Sequence, residues 1–308
     1  MARTFAMLLA MLALGATPAR VGVRATFLHP LADGVSRLAF GWSPLSWDAK
    51  ASELYVVDNR HGVVEVFNDN GMAVHSFGDS ALGLVAGVAV LETGEPLLLT
   101  VRGESFALVR CNYRGEQVGR IELRGVPAKF AEGFRPGSLH VAAGRVWLAD
   151  KSSMKVLVVE PDGSFAAAHD LARLAGVDEQ RRGDAMMRSF AVEADGHMLF
   201  TVATLFRAFV VSPDGHVRSF GVKGSTPGRF NVVGGIASDG DGHLFLTDTL
   251  RSVVMVFDRE SFRFLGEFAS RGRGPSGLVN PLDLVVGNGR VYVTQSTGPV
   301  KAFAVQFE

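Results

Sequence analysis

The sequence predicts an all-β fold, a six-bladed β-propeller of four-stranded antiparallel blades, and three observations predict it. A template of two apolar strands joined by a small polar turn recurs six times along the chain. Asp-Gly and Asn-Gly turns fall at matching places between the repeats. An apolar segment near the start, Val23–Leu28, has no repeat of its own, while the sixth repeat stops without an outer strand.

The template reads LYVVDN (54–59), LLLTVR (97–102), VWLADK (146–151), MLFTVA (198–203), LFLTDT (244–249) and VYVTQS (291–296). Its fifth residues are Asp58, Val101, Asp150, Val202, Asp248 and Gln295, spaced 43, 49, 52, 46 and 47 residues apart. That is the length of one four-stranded propeller blade. The turns ADGH (194–197), GDGH (240–243) and GNGR (287–290) precede template strands, and NDNG (68–71), EPDG (160–163) and SPDG (212–215) follow them. Gly and Asn tolerate positive φ, which tight hairpins need. Outer strands are predicted at 73–78, 117–123, 165–171, 216–221 and 264–269, and the first inner strand at 36–40. A ring of sheets leaves exposed edges unless the chain's two ends meet in one sheet. Val23–Leu28 is therefore predicted to close the ring as the outer strand of the last blade.

A chain of 308 residues suggests two domains by length alone, but long all-β folds are the exception to that rule. With 47% hydrophobic and 20% charged residues, it can bury a large core. Lys+Arg and Asp+Glu both number 31, which argues against a nucleic-acid partner held by bulk positive charge. The single cysteine, Cys111, excludes an internal disulfide, a Cys-based structural zinc site and a CxxCH haem attachment. Arg3, the apolar run Phe5–Leu14 and the small residues of 15–19 follow the order of a secretory signal peptide, with a cut after Ala19. About ten apolar residues are too few to span a hydrocarbon core of ~30 Å. The expected organisation is a signal peptide (1–19) and one propeller domain (20–308), exported to the periplasm or outside the cell, with no membrane span.

The stretch Lys223–Phe303 contains STPGRFNVVGGIASDGDGHLFLTDTLRSVVMVFD and GRGPSGLVNPLDLVVGNGRVYVTQSTGPVKAF. In these segments the chain resembles tandem NHL repeats, and the earlier blades match more loosely. The resemblance implies a six-bladed propeller over about residues 22–308. It implies no single activity, because that group includes scaffolds, ligand binders, lyases and lactonases.

Loops that enter a blade and turns between its second and third strands share one face. Here they carry a net +6 in a chain of net charge zero. Lys129, Arg135, Lys223, Arg229, Arg271 and Arg273 contribute to a basic rim suited to carboxylates and phosphates. On the strands that border the channel, Asp283 and His140 stand out against small neighbours, and Arg37, His29 and Asn280 complete the candidates for a central polar site. Asp283 is expected to pair with Arg37 or to belong to that site. Ca²⁺ wants 6–8 oxygens, and too few carboxylates are placed to supply them. His197 and His243 occupy equivalent positions in turns on the opposite face, where turn chemistry explains them. The set Asp58, Asp150 and Asp248 reads as turn capping. No GxSxG or Cys/His nucleophile arrangement is present.

These readings favour an exported, non-catalytic interaction module, with no cofactor and no nucleic acid. Its basic loop face would dock a protein partner or an anionic ligand, as a monomer or a subunit of an envelope complex. The alternative is a lactonase-like hydrolase or a lyase at the channel mouth, around Asp283, His140 and Arg37.

Overall fold

Strands buried on both faces need sheets on either side, and a ring of blades provides them. A computed structural model describes residues 22–31, 43–59, 61–78 and 82–308. After β1 (Val23–Pro30), the first blade is β2 (Leu45–Asp48), β3 (Glu53–Asp58), β4 (Val63–Asn68) and β5 (Ala73–Phe77). The second is β6 (Leu84–Val90), β7 (Pro96–Arg102), β8 (Ser105–Cys111) and β9 (Gln117–Ile121). After the short α1 (Ala128–Ala131), the third is β10 (Ser138–Ala142), β11 (Arg145–Asp150), β12 (Lys155–Val159) and β13 (Phe165–Asp170). After α2 (Leu171–Leu174), the fourth is β14 (Ser189–Val192), β15 (Met198–Val202), β16 (Arg207–Val211) and β17 (Val217–Phe220). The fifth is β18 (Val233–Ser238), β19 (His243–Asp248), β20 (Val253–Asp258) and β21 (Phe264–Phe268). A small parallel pair, β22 (Ser270–Arg271) and β23 (Gly277–Leu278), leads into β24 (Pro281–Gly287), β25 (Arg290–Gln295) and β26 (Lys301–Phe307) of the sixth.

The ring closes as predicted. β1 lies antiparallel to β26 as the fourth strand of the last blade, with Val23 opposite Phe307 and Phe27 opposite Phe303. Gly22 and Glu308 extend the ladder by two backbone hydrogen bonds of 3.0 Å. The inner strand expected at 36–40 lies outside the described residues, as do Arg37, Trp42 and the segment 1–19. In blade one the innermost place is taken by β2, at 45–48.

The core sits between blades. Six apolar clusters occupy the six junctions, for example Trp147, Leu171, Met187 and Phe200 between blades three and four. At the closing junction Leu31, Leu54 and Phe67 meet Tyr292 and Ala302. Cys111 is fully buried, and burial pushes its thiol up to about 11.

The acidic template residues do more than cap a turn. Asp150 accepts N–H bonds from Ser152 and Ser153 in its own turn and from Arg135 in the loop entering the blade, at 3.0–3.1 Å. Asp248 bridges Arg251 to Asn231 in the same way. Gln295 takes over in blade six, accepting from Val279 N–H and donating to the Pro299 carbonyl. Each such residue ties the two segments that form one face of the ring.

Candidate functional site at the channel mouth

On the innermost strands of blades two to six, one residue holds an equivalent place bordering the channel. It is Gly87, Ser138, Ser189 and Gly235 in blades two to five, and Asp283 in blade six. Pairing of β24 with β25 skips between Pro281 and Leu284, which leaves Asp283 in an irregular stretch and turns its carboxylate inward. The buried Thr294 repairs the ladder there: its Oγ accepts from Asp283 N–H at 3.0 Å and donates to the Asp283 carbonyl at 3.1 Å. The carboxylate accepts from the Ser189 hydroxyl at 3.1 Å and from Leu284 N–H at 3.0 Å. Gly235 is required opposite, since a Cβ there would stand 2.5 Å from Asp283 Oδ1.

Asp283 and His140 line one cavity of about 250 Å³, together with Lys151, Ser138, Asn59 and Thr294. His140 also lines a second cavity of about 530 Å³ toward the opposite face, beside Trp47, Lys50 and Glu92. It therefore stands between the two halves of the channel. Its Nε2 lies 2.9 Å from Ser138 Oγ, and its ring packs edge-on against Phe190. Burial, reinforced by the charge of Lys151, pulls its pKa down to about 4, so the imidazole is neutral at neutral pH.

Two cations that the sequence did not single out complete the site. Lys151 follows the clamped Asp150, and its own carbonyl accepts from Met187 N–H at 2.9 Å, which fixes it from the neighbouring blade. Arg188 precedes Ser189 at the start of β14, and its N–H bonds the Thr201 carbonyl at 2.8 Å. Desolvation lowers the pKa of Lys151 and raises that of Asp283, although each charge favours the other. Arg188 acts on both, holding Asp283 down and Lys151 down. A carboxylate and an amine thus line one cavity, with serine and threonine hydroxyls beside them and the charge of Arg188 acting on both.

The other expected site residues are placed elsewhere. None of Lys129, Arg135, Lys223, Arg229, Arg271 and Arg273 lines the channel cavity. They sit on three separate inter-blade loops and are engaged locally. Arg135 pairs with Glu104, Lys129 lies over Phe130, Lys223 lies over Phe206, and Arg271 bonds the Leu250 carbonyl. A charge count places them on one face without showing that several are already engaged by nearby turns. His29 is on β1, at the outside of blade six, packed over Gly71. Asn280 lies in the turn before β24, in a left-handed conformation with φ 47°.

A second cluster occupies the opposite face, where Glu193, Asp195 and His197 bring possible ligand atoms within 4.8 Å of one another. Glu193 is gripped by Arg259 of the next blade through contacts of 2.6–3.1 Å, both side chains being largely buried. His197 Nδ1 lies 2.9 Å from Asp195, and the equivalent His243 lies 2.6 Å from Asp239 while stacking on Phe307. Any cation there would compete with the Arg259 guanidinium for Glu193.

No protein-family model matches the chain, and no curated protein matches it in sequence. Many solved structures share its fold. A protein of unknown function from Bacteroides thetaiotaomicron superposes with a TM-score of 0.63 at 11% identity, covering 93% of this chain and 76% of that one. A luciferin-regenerating enzyme gives 0.61 at 11% identity, over 92% and 95% of the two chains. A streptogramin B lyase gives 0.58 at 8% identity, over 93% and 98%. At these identities the likeness establishes the fold: a six-bladed β-propeller.

The expectation of a non-catalytic, protein-binding module is corrected by these findings. It rested on a channel too poor in polar groups for chemistry. The turn carrying Lys151 and the strand start carrying Arg188 supply what was missing around Asp283, a Glu–Asp–His group lies on the other face, and the fold is one that named enzymes use.

Proposed function

We propose that the protein is an enzyme whose reaction centre is the loop-side mouth of the channel, and that it carries out a lyase-type elimination on a carbonyl compound. Asp283 takes the proton beside the carbonyl, and Lys151, lining the same cavity, activates that carbonyl, with the charge of Arg188 acting on both. Neutral His140 forms the floor of the cavity. The observation that carries this reading is Asp283 itself. Four other blades place Gly or Ser at its position, so the repeat does not need a carboxylate there, and burying one is costly. A calcium-dependent reaction fits less well, because the cavity lining offers one carboxylate and an amine where a hard cation wants 6–8 oxygens.

Assignment to the NHL group is part of this proposal. It is supported by two loops of that pattern which fold alike: Lys223 bridges Phe230 in parallel, as β22 does β23. Export is also part of it, supported by the order of residues in 1–19.

The test is a panel of C–O and C–N elimination substrates, with lactones and esters alongside. Turnover should fall by about 10²–10⁴ in Asp283→Asn, with the melting curve still cooperative. Preference for lactones would move the assignment to the hydrolase reading. An Asp283→Asn variant as active as the wild type, or a wild type inert across both panels, would sink it.

A further inference from the structure

Among the described residues, Lys151 makes no hydrogen bond or ion pair through its amine, although it lines the cavity that holds Asp283. The buried Lys301, by contrast, spends its amine on three backbone carbonyls, those of Gly274, Pro275 and Gly277, at 2.6–3.3 Å. The backbone of the half-buried Lys151 is fixed on both sides, by the Asp150 clamp before it and the Met187 N–H on its own carbonyl. An unbonded amine on an anchored backbone, sharing a small cavity with a carboxyl group, is an arrangement that suits a nucleophilic lysine.

We propose that Lys151 condenses with the carbonyl carbon of a small oxo acid, forming an imine in the upper channel cavity. The proposal rests on the channel mouth being the reaction centre and names its substrate class. The neutral amine attacks the carbonyl carbon, and the C=O π pair moves to oxygen. After proton transfer from nitrogen to that oxygen, the Asp283 carboxylic acid protonates the hydroxyl, which leaves as water. The products are an iminium on Lys151, a carboxylate on Asp283 and one water, with no change in total charge or oxidation state. Desolvation favours the neutral form of both Lys151 and Asp283, which is the pair of states this step begins from. The iminium then draws electrons from the adjacent carbon, which eases the proton abstraction assigned to Asp283.

Size and charge select the substrate. A cavity of about 250 Å³ holds roughly eight waters at ~30 Å³ each, so the ligand is correspondingly small. The charge of Arg188 acts on both Lys151 and Asp283, and positive potential at the cavity favours a carboxylate on the carbonyl compound.

The experiment is reductive trapping on the full chain. Wild-type protein is incubated at pH 7 with pyruvate and cyanoborohydride, and the modified lysines are mapped by peptide mass. Acetone serves as the neutral probe, and exposed Lys50, Lys129 and Lys223 serve as internal references. Labelling at Lys151 should exceed that at each reference by at least about tenfold, since burial lowers its pKa and leaves more free amine. Pyruvate should label it faster than acetone, and Lys151→Met should lose that adduct alone. Labelling of the surface lysines with Lys151 unmodified would overturn the imine, as would equal labelling at all sites. The mapping needs only the wild type, so it stands even if the variant folds poorly. Turnover without an adduct would remove the imine and keep the reaction centre. An adduct at Lys151 alongside an active Asp283→Asn would do the reverse.

Discussion

The hydroxyl of Ser189 donates to Asp283 Oδ1 across the channel at 3.1 Å, from two blades away in sequence order. The two residues hold equivalent places on the channel-facing strands of blades four and six. Among the described residues the carboxylate stands at that place in blade six alone, and the copy in blade four supplies a hydrogen bond to it. Ser189→Ala should leave Asp283 with one fewer donor and raise its pKa further. The acidic limb of a pH–rate profile tied to Asp283 should move upward; an unmoved profile would disconnect the pair.

His140 predicts an acid-sensitive channel. Its folded pKa, about 4, lies below the ordinary histidine value of 6.5, so the stability it contributes is present above about pH 6.5 and is lost as pH falls through 4. The loss amounts to at most about 3 kcal/mol. Urea midpoints measured from pH 7.5 to 4 should drop more steeply for the wild type than for His140→Gln. Parallel curves would mean that the imidazole charges freely inside the channel.

Asp150 should matter for both fold and site. Asp150→Ala frees three half-buried backbone N–H groups and should cost about 2 kcal/mol in urea unfolding. It should also abolish selective trapping at Lys151, because the turn that aims the amine has lost its anchor. Retained selectivity in a destabilised variant would show that Met187 alone positions Lys151.

The closure can be weighed through Phe27, half-buried on β1 and packed edge-on against Phe303 at 5.9 Å. Phe27→Ala should destabilise by about 2 kcal/mol, below the range for a fully buried phenylalanine. A change under 0.5 kcal/mol in equilibrium unfolding would indicate that the backbone ladder, rather than the aromatic contact, holds this strand.

On the far face, Arg259→Met should release Glu193 to join Asp195 and His197, giving three ligands of the kinds zinc accepts. Zinc should raise the melting temperature of the variant, reversibly with chelator, and leave the wild type unchanged. Stoichiometric zinc in the wild type would show that the ion displaces the Arg259 clamp.

The architecture was legible because propeller blades are nearly local objects: their strands pair with sequence neighbours through turns whose Gly and Asn are visible. The one non-local pairing, β1 with β26, followed from counting strands. Asp283 and His140 were legible as departures from small residues on the inner strands. Lys151 and Arg188 were not, because one lies in a polar turn and the other at a loop end, where charge is ordinary. A usable signal was present in the template threonines Thr100, Thr201, Thr247 and Thr294. All four are buried, and the last three bond backbone near the skipped ladder positions. The basic rim lies apart from the channel cavity, and net charge reports which face a side chain is on while saying nothing of its partners.

The shared sheet of β1 and β26 also sets the order of events during synthesis. Five blades can form as their residues emerge from the ribosome, whereas the sixth must wait until its own last strand is made. Until then the leading segment remains an unpaired apolar ribbon. A helper that shields it, or a delay in delivering the final strand, would govern yield more strongly than any substitution inside the first five sheets.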